Sequence, residues 1–99
     1  MAVYISSAVV SVDTRFSPKT LYLPPAEANI GKVFTVIDPY GTANTNNIII
    51  RALGPDKIDI ASDSVTLSTA FESVSLFVQS STNFSIIAKG VNNSFWLLT

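Results

Sequence analysis

The residues most able to do chemistry are acidic. Asp56, Asp59 and Asp63 lie close together, with Asp38 and Glu72 on either side of them. Carboxylates at such spacing invite a reading as calcium ligands or as an acid/base pair. An EF-hand loop, however, requires a glycine at its sixth position and a closing glutamate, and both are missing here. The plainer reading is that these acids are solvated turn residues. Serine and threonine hydroxyls are abundant, but the chain has no histidine to activate one of them. It also has no cysteine, which excludes disulfides and thiolate metal sites. The sequence therefore predicts no catalytic residue, no metal site and no cofactor. Arg51 stands on a segment otherwise apolar on both sides. It is expected either to reach a sheet edge or to meet an acid across an interface. Tyr4, Tyr22, Tyr40, Phe71, Phe77 and Trp96 would together offer a stacking surface for sugars. Phe71, Phe77 and Trp96 are expected in the core, and Tyr40, in a turn, is the ring expected to be exposed. The triplets Asn83-Phe84-Ser85 and Asn92-Asn93-Ser94 have the form of glycosylation acceptors, but a chain rich in Asn and Ser makes such triplets by chance.

The elements that must carry these residues are strands. Around Thr45 to Leu53 the chain reads Thr-Asn-Asn-Ile-Ile-Ile-Arg-Ala-Leu. Alternation puts Ile48, Ile50 and Ala52 on one side and Ile49 and Leu53 on the other, so the strand is expected to be covered on both faces. Turn residues flank it, Tyr40–Asn44 before and Gly54-Pro55-Asp56 after. Val3 to Val12 reads as a first strand, followed by a loop over 13–19 and a short strand at Thr20–Leu23 ended by Pro24-Pro25. Ala26–Asn29 fits one helical turn stopping at Gly31. Lys32–Asp38 is rich in β-branched and aromatic residues. Asp38-Pro39-Tyr40-Gly41 is a turn in which Asp caps, Pro presets φ and Gly permits φ > 0. Further strands are predicted at 57–60, 64–69, 73–79, 84–88 and 94–98, with turns at Ser80–Asn83 and Gly90–Asn93. The expectation is an all-β fold, a small antiparallel sandwich, barrel or prism of short strands. Three similar segments (65–69, 74–78, 84–88) leave a winding β-helix open.

Composition limits the function classes. The chain has 99 residues, 47% of them hydrophobic and 13% charged, with a net charge of −1. Mean hydropathy is +0.41 and the pI is about 5.0. This balance offers no basic footprint for nucleic acid and no cationic patch for anionic lipid. No apolar run approaches the roughly 20 residues of a membrane span, and Met1-Ala2-Val3-Tyr4 lacks the order of a signal peptide. Synthesis in a cytoplasm without secretion is expected. So much apolar surface on one small domain points to a subunit interface.

Several stretches taken in order carry a resemblance. They are Thr20–Ala26, Asn29–Asp38, Gly41-Thr42-Ala43, Thr45–Ile50, Gly54–Asp59, Ser64–Leu67, Phe71–Leu76 and Ser81–Ile87. Over residues 20 to 88 the chain resembles a module recurrent in bacteriophage tail fibres and in fibre or capsid-surface proteins of large DNA viruses. The resemblance implies a β-rich, commonly trimeric structural segment or distal knob with no shared catalytic residues. It also implies a division into an N-terminal strand or docking segment, 1–19, and the module itself, 20–99. The expected function is a non-enzymatic structural component of a virus particle (head fibre, spike, capsid cement or vertex cap) located on the virion. Its expected partners are copies of itself as a homotrimer and other capsid or tail proteins. Ile48, Ile49, Ile50, Arg51, Val3 and Ile5 are the expected interface residues. The alternative is a receptor- or glycan-binding tip, with Tyr40 and Asn44 facing the ligand.

Overall fold

A computed structural model describes residues 3–5 and 8–91 of the chain. Nine strands are present: β1 (Val3–Tyr4), β2 (Val9–Ser11), β3 (Lys19–Tyr22), β4 (Val33–Ile37), β5 (Ile48–Arg51), β6 (Lys57–Ile58), β7 (Ser64–Leu67), β8 (Glu72–Ser80) and β9 (Asn83–Val91). A single 3-10 turn, Ala26–Ala28, follows Pro25, and Gly31 after it takes φ +90, a value that favours glycine. The fold is all-β. The strands form two sheets, a four-stranded one in the order β1-β3-β5-β7 and a five-stranded one in the order β2-β4-β8-β9-β6.

Both sheets are mixed rather than antiparallel, which corrects the sequence-based expectation. β1–β3, β3–β5, β2–β4 and β6–β9 pair in parallel. Parallel neighbours need a crossover, and here consecutive strands alternate between sheets. The expected single strand Val3–Val12 shows this directly. Its first part is β1, on the edge of one sheet, and its last part is β2, on the edge of the other. A strand that serves one sheet cannot run on into the other, so the segment breaks between them.

Alternation decides what is buried. β8 reads Glu-Ser-Val-Ser-Leu-Phe-Val-Gln-Ser, and its Val74, Leu76 and Val78 are buried while Ser73, Ser75 and Phe77 are half-buried on the other side. β4 contributes Phe34 and Val36, β5 Ile48 and Ile50, β7 Val65 and Leu67, and β3 Leu21, all to one cluster shared by the two sheets. Val65 and Leu67 face inward as predicted. β5 is covered fully on one side only, because Ile49 is half-buried and Arg51 is exposed. β8 and β9 are joined by Ser81-Thr82, the predicted polar turn. β9 continues through Gly90 to Val91, where a turn was expected. The strand predicted at 94–98 lies outside the described residues.

β6 stops at Ile58 rather than Ile60, because the chain turns back there. Asp59 and Ile60 take φ +50 and +74, values that a β-branched residue rarely adopts. Tertiary hydrogen bonds hold them. Ile58 N–H donates to Ser62 O and Ser62 N–H to Ile58 O. The Asp59 carboxylate accepts from Ile86 N–H, and Asn83 Oδ1 accepts from Ile60 N–H at 2.8 Å.

Candidate functional site

Loops 12–18, 38–47 and 68–71 gather at one end of both sheets, because β2, β4 and β7 end there and β3, β5 and β8 begin there. Asp38 organises this end. It is fully buried, its Oδ1 accepts from Thr42 N–H at 3.3 Å, and its Oδ2 accepts from Ala43 N–H and Phe71 N–H, both at 3.0 Å. One carboxylate thus ties the β4–β5 loop to the β7–β8 loop, a wider role than the local cap predicted for it. Phe71 is held at φ +64 with its ring across Gly41, where an added Cβ would come within 2.5 Å of ring carbons. Gly41 is therefore required twice, by its own φ of +73 and by that ring. The β2–β3 loop is joined on by Thr14. Its hydroxyl shares a 2.8 Å hydrogen bond with that of Thr42, and its carbonyl accepts from Asn46 Nδ2.

Exposed rings crown this scaffold. The Arg15 guanidinium lies 3.8 Å from the centroid of the Tyr40 ring and 5.4 Å from that of Phe16, within the range of cation–π attraction. Arg15 Nε and Nη2 both donate to the Asp13 carboxylate, at 3.0 and 2.9 Å. That fork fixes the guanidinium plane over the ring. These Arg15 hydrogen bonds hold the Asp13 carboxyl down at about 2, so Asp13 stays ionised near neutral pH and serves as a clamp rather than a proton donor. Phe16 is 86% exposed, Tyr40 49% and Phe71 43%. Asn44 is exposed in the same loop as Tyr40. The arrangement offers flat apolar and cationic surface beside amide groups, suited to stacking and hydrogen bonding. Aromatic and arginine side chains of this kind dominate binding hot spots.

Tyr40 and Asn44 thus come together at this end, whereas the expected interface residues do not. Ile5, Ile48 and Ile50 are enclosed in the chain's own core and have no surface to offer a second copy, which removes them from the expected interface. Ile49 and Arg51 sit on the outer face of the four-stranded sheet. Val3 pairs with Leu21 on β1. Phe71 is exposed and Phe77 only half-buried, against the expectation that both pack in the core. Trp96 and Asn92 lie outside the described residues. Sequence reasoning missed Arg15 and Phe16 as binding residues. The available signal was Asp13-Thr14-Arg15-Phe16, an acid two residues before an arginine that is followed by an aromatic.

The acids expected in solvated turns divide. Asp63 is exposed and paired with Lys57, and Asp59 is exposed but bound to Ile86 N–H. Asp56, by contrast, is buried and accepts from Ala26 N–H at 2.9 Å. It holds the 3-10 turn beside an open groove of about 340 Å3 lined by Pro25, Leu53 and Thr82. Glu72 is buried as well, accepting from Ser68 and Thr69 N–H and from the Lys89 ammonium at 2.6 Å. Among the described residues, no three of these acids converge on one point where a metal ion would sit.

Burial alone would raise the Glu72 pKa, but the Lys89 ammonium and the two N–H donors outweigh it and leave the carboxyl below the usual glutamate range. A folded-state pKa below the unfolded one means that Glu72 stabilises the fold above the unfolded value, and that this contribution is lost as pH falls through the folded one. Stability is expected to decline as pH drops below about 4.5. Glu72→Gln should flatten that decline and cost roughly 1–3 kcal/mol at pH 7. Urea melts of both proteins between pH 7 and pH 3 check this, and parallel pH profiles would contradict it.

Compared with protein-family models and with curated proteins, the chain matches none.

Proposed function

We propose that this protein is a non-enzymatic structural component of a virus particle, a two-sheet β-sandwich that assembles as a homotrimer on the virion as a head fibre, spike, capsid cement or vertex cap. The observation that carries the reading is the apolar surface left outside the core, with Val9, Ile30, Val33, Ile60 and Ile87 each exposed. The resemblance of residues 20 to 88 to fibre and capsid-surface modules supports it. So does the structural use of the buried carboxylates Asp38, Asp56 and Glu72, each already bound to backbone N–H groups. Light scattering at micromolar concentration tests the assembly, with three copies per particle expected. A stable monomer would overturn it.

A second reading, recognition of a receptor or glycan at one tip, is favoured by the Arg15, Phe16, Tyr40 and Phe71 end. Tyr40→Ala removes the ring beneath the guanidinium without opening the core, because Tyr40 is half exposed. Loss of tenfold or more in affinity on a glycan array or on host cells, at unchanged melting temperature, is the expected result. Equal binding by Tyr40→Ala and the parent protein would remove the tip from the function.

A further inference from the structure

The outer face of the five-stranded sheet can be read row by row from the pairing register. Across β4, β8 and β9 one row is Val33, Phe77 and Ser85. The next, starting on β2, is Val9, Thr35, Ser75 and Ala88, and the third is Ser11, Ile37, Ser73 and Gly90. No charged side chain stands in these rows, although the chain has 13 charged residues, 6 basic and 7 acidic. The matching face of the four-stranded sheet differs. Its rows are Thr20, Ile49 and Thr66, then Tyr22, Arg51 and Ser64, with Arg51 exposed and close enough to Asp63 to lower its pKa.

Two further features set the five-stranded face apart. Bulk is divided across it, with Val9, Val33 and Ile37 on β2 and β4 and the small Ser73, Ser75, Ser85, Ala88 and Gly90 on β8 and β9. In the middle, Thr35 and Ser75 share a hydrogen bond of 2.8 Å across the strands, so these hydroxyls partly satisfy each other rather than relying on water. Val9 at 62% and Val33 at 39% exposure lack cover within the chain.

We propose that this face is where copies of the chain meet, the bulky β2–β4 half of one copy packing on the small β8–β9 half of the next. The inference rests on the homotrimer reading. A partner recognised through charge has nothing to engage here, whereas a second copy meets the face with no charge to bury, and the cores of protein interfaces are depleted in charge. Bulk on one half and small residues on the other make the face complementary to itself. A head-to-tail contact of this kind closes into a ring when its rotation permits, and three copies around an axis would bring each bulky half onto a small half.

Two variants carry the test. Ser75→Lys places a cation at the centre of the face, and Thr66→Lys places one on the other sheet as a control. Sizing is expected to give trimers for the parent and Thr66→Lys, and monomers with unchanged circular dichroism for Ser75→Lys. A monomeric parent would overturn the homotrimer reading and this inference together. A trimeric parent with a trimeric Ser75→Lys would overturn this inference alone. A second measurement does not depend on Ser75→Lys folding. The chain has no cysteine, and Val9 and Ala88 stand three strand spacings apart in one row, roughly 14 Å, too far for a disulfide within one chain. Oxidised Val9→Cys/Ala88→Cys protein should run as covalent trimers on non-reducing gels, and each single variant as one chain. Single chains or covalent dimers from the double variant, or cross-linking of either single variant with itself, would overturn the head-to-tail contact.

Discussion

Ile50→Asp is expected to leave no soluble folded protein. Ile50 is fully buried on β5, where the four-stranded sheet pairs it with Leu21 on one side and Val65 on the other. An aspartate there would place a carboxylate among apolar side chains with no cation in reach, at a cost of several kcal/mol. Total stability of a domain this size is only about 5–15 kcal/mol, so one such substitution removes much or all of it. Thr66→Asp is the comparison, because Thr66 lies on the adjacent strand with its side chain half-exposed on the outer face. Solubility and urea midpoints of the two variants decide the matter. Similar values would mean that β5 does not hold the core together.

Asp38→Ala should have the next largest effect, and it acts on the fold and on the tip at once. Three backbone N–H groups, those of Thr42, Ala43 and Phe71, would lose their acceptor in a fully buried position. Each buried donor left without a partner costs about 1–3 kcal/mol, though donors sharing one acceptor do not add independently. For a domain near 100 residues, a loss of 1 kcal/mol lowers the melting temperature by roughly 4–8 °C, so a drop of at least about 10 °C is expected. Phe71 would also lose the bond that helps hold it at φ +64 against Gly41, and Tyr40 would no longer be presented in place. Asp38→Asn keeps one acceptor oxygen and should fall between parent and alanine variant. Asp63→Ala gauges an ordinary surface acid, since its ion pair with Lys57 is exposed and worth at most about 1 kcal/mol. Melting of Asp38→Ala at the temperature of Asp63→Ala would show that Asp38 does not organise the end of the molecule.

The alternation of apolar and polar residues was enough by itself to determine that this chain is all-β. It placed Val65, Leu67, Val74, Leu76 and Val78 inward, and Asp38-Pro39-Tyr40-Gly41 marked its turn, because a two-residue period and the φ limits of Pro and Gly are local properties. Composition likewise removed histidine- and thiol-based chemistry from consideration. What only the tertiary structure decided is whatever depends on residues far apart in the chain. Val3 and Val9 look like one strand because local periodicity does not record which sheet a residue joins. The parallel pairings arise from crossovers between sheets, which leave no local mark. Asp56 and Phe71 went to the places opposite to those expected. An aspartate is buried where a distant N–H, here that of Ala26, receives it, and a phenylalanine stays outside where a distant carboxylate, that of Asp38, fixes its backbone. The Arg15–Tyr40 stack joins two loops separated by β3 and β4. Its geometry exists only once Thr14, Thr42 and Asn46 have drawn those loops together, and no spacing in the sequence encodes that.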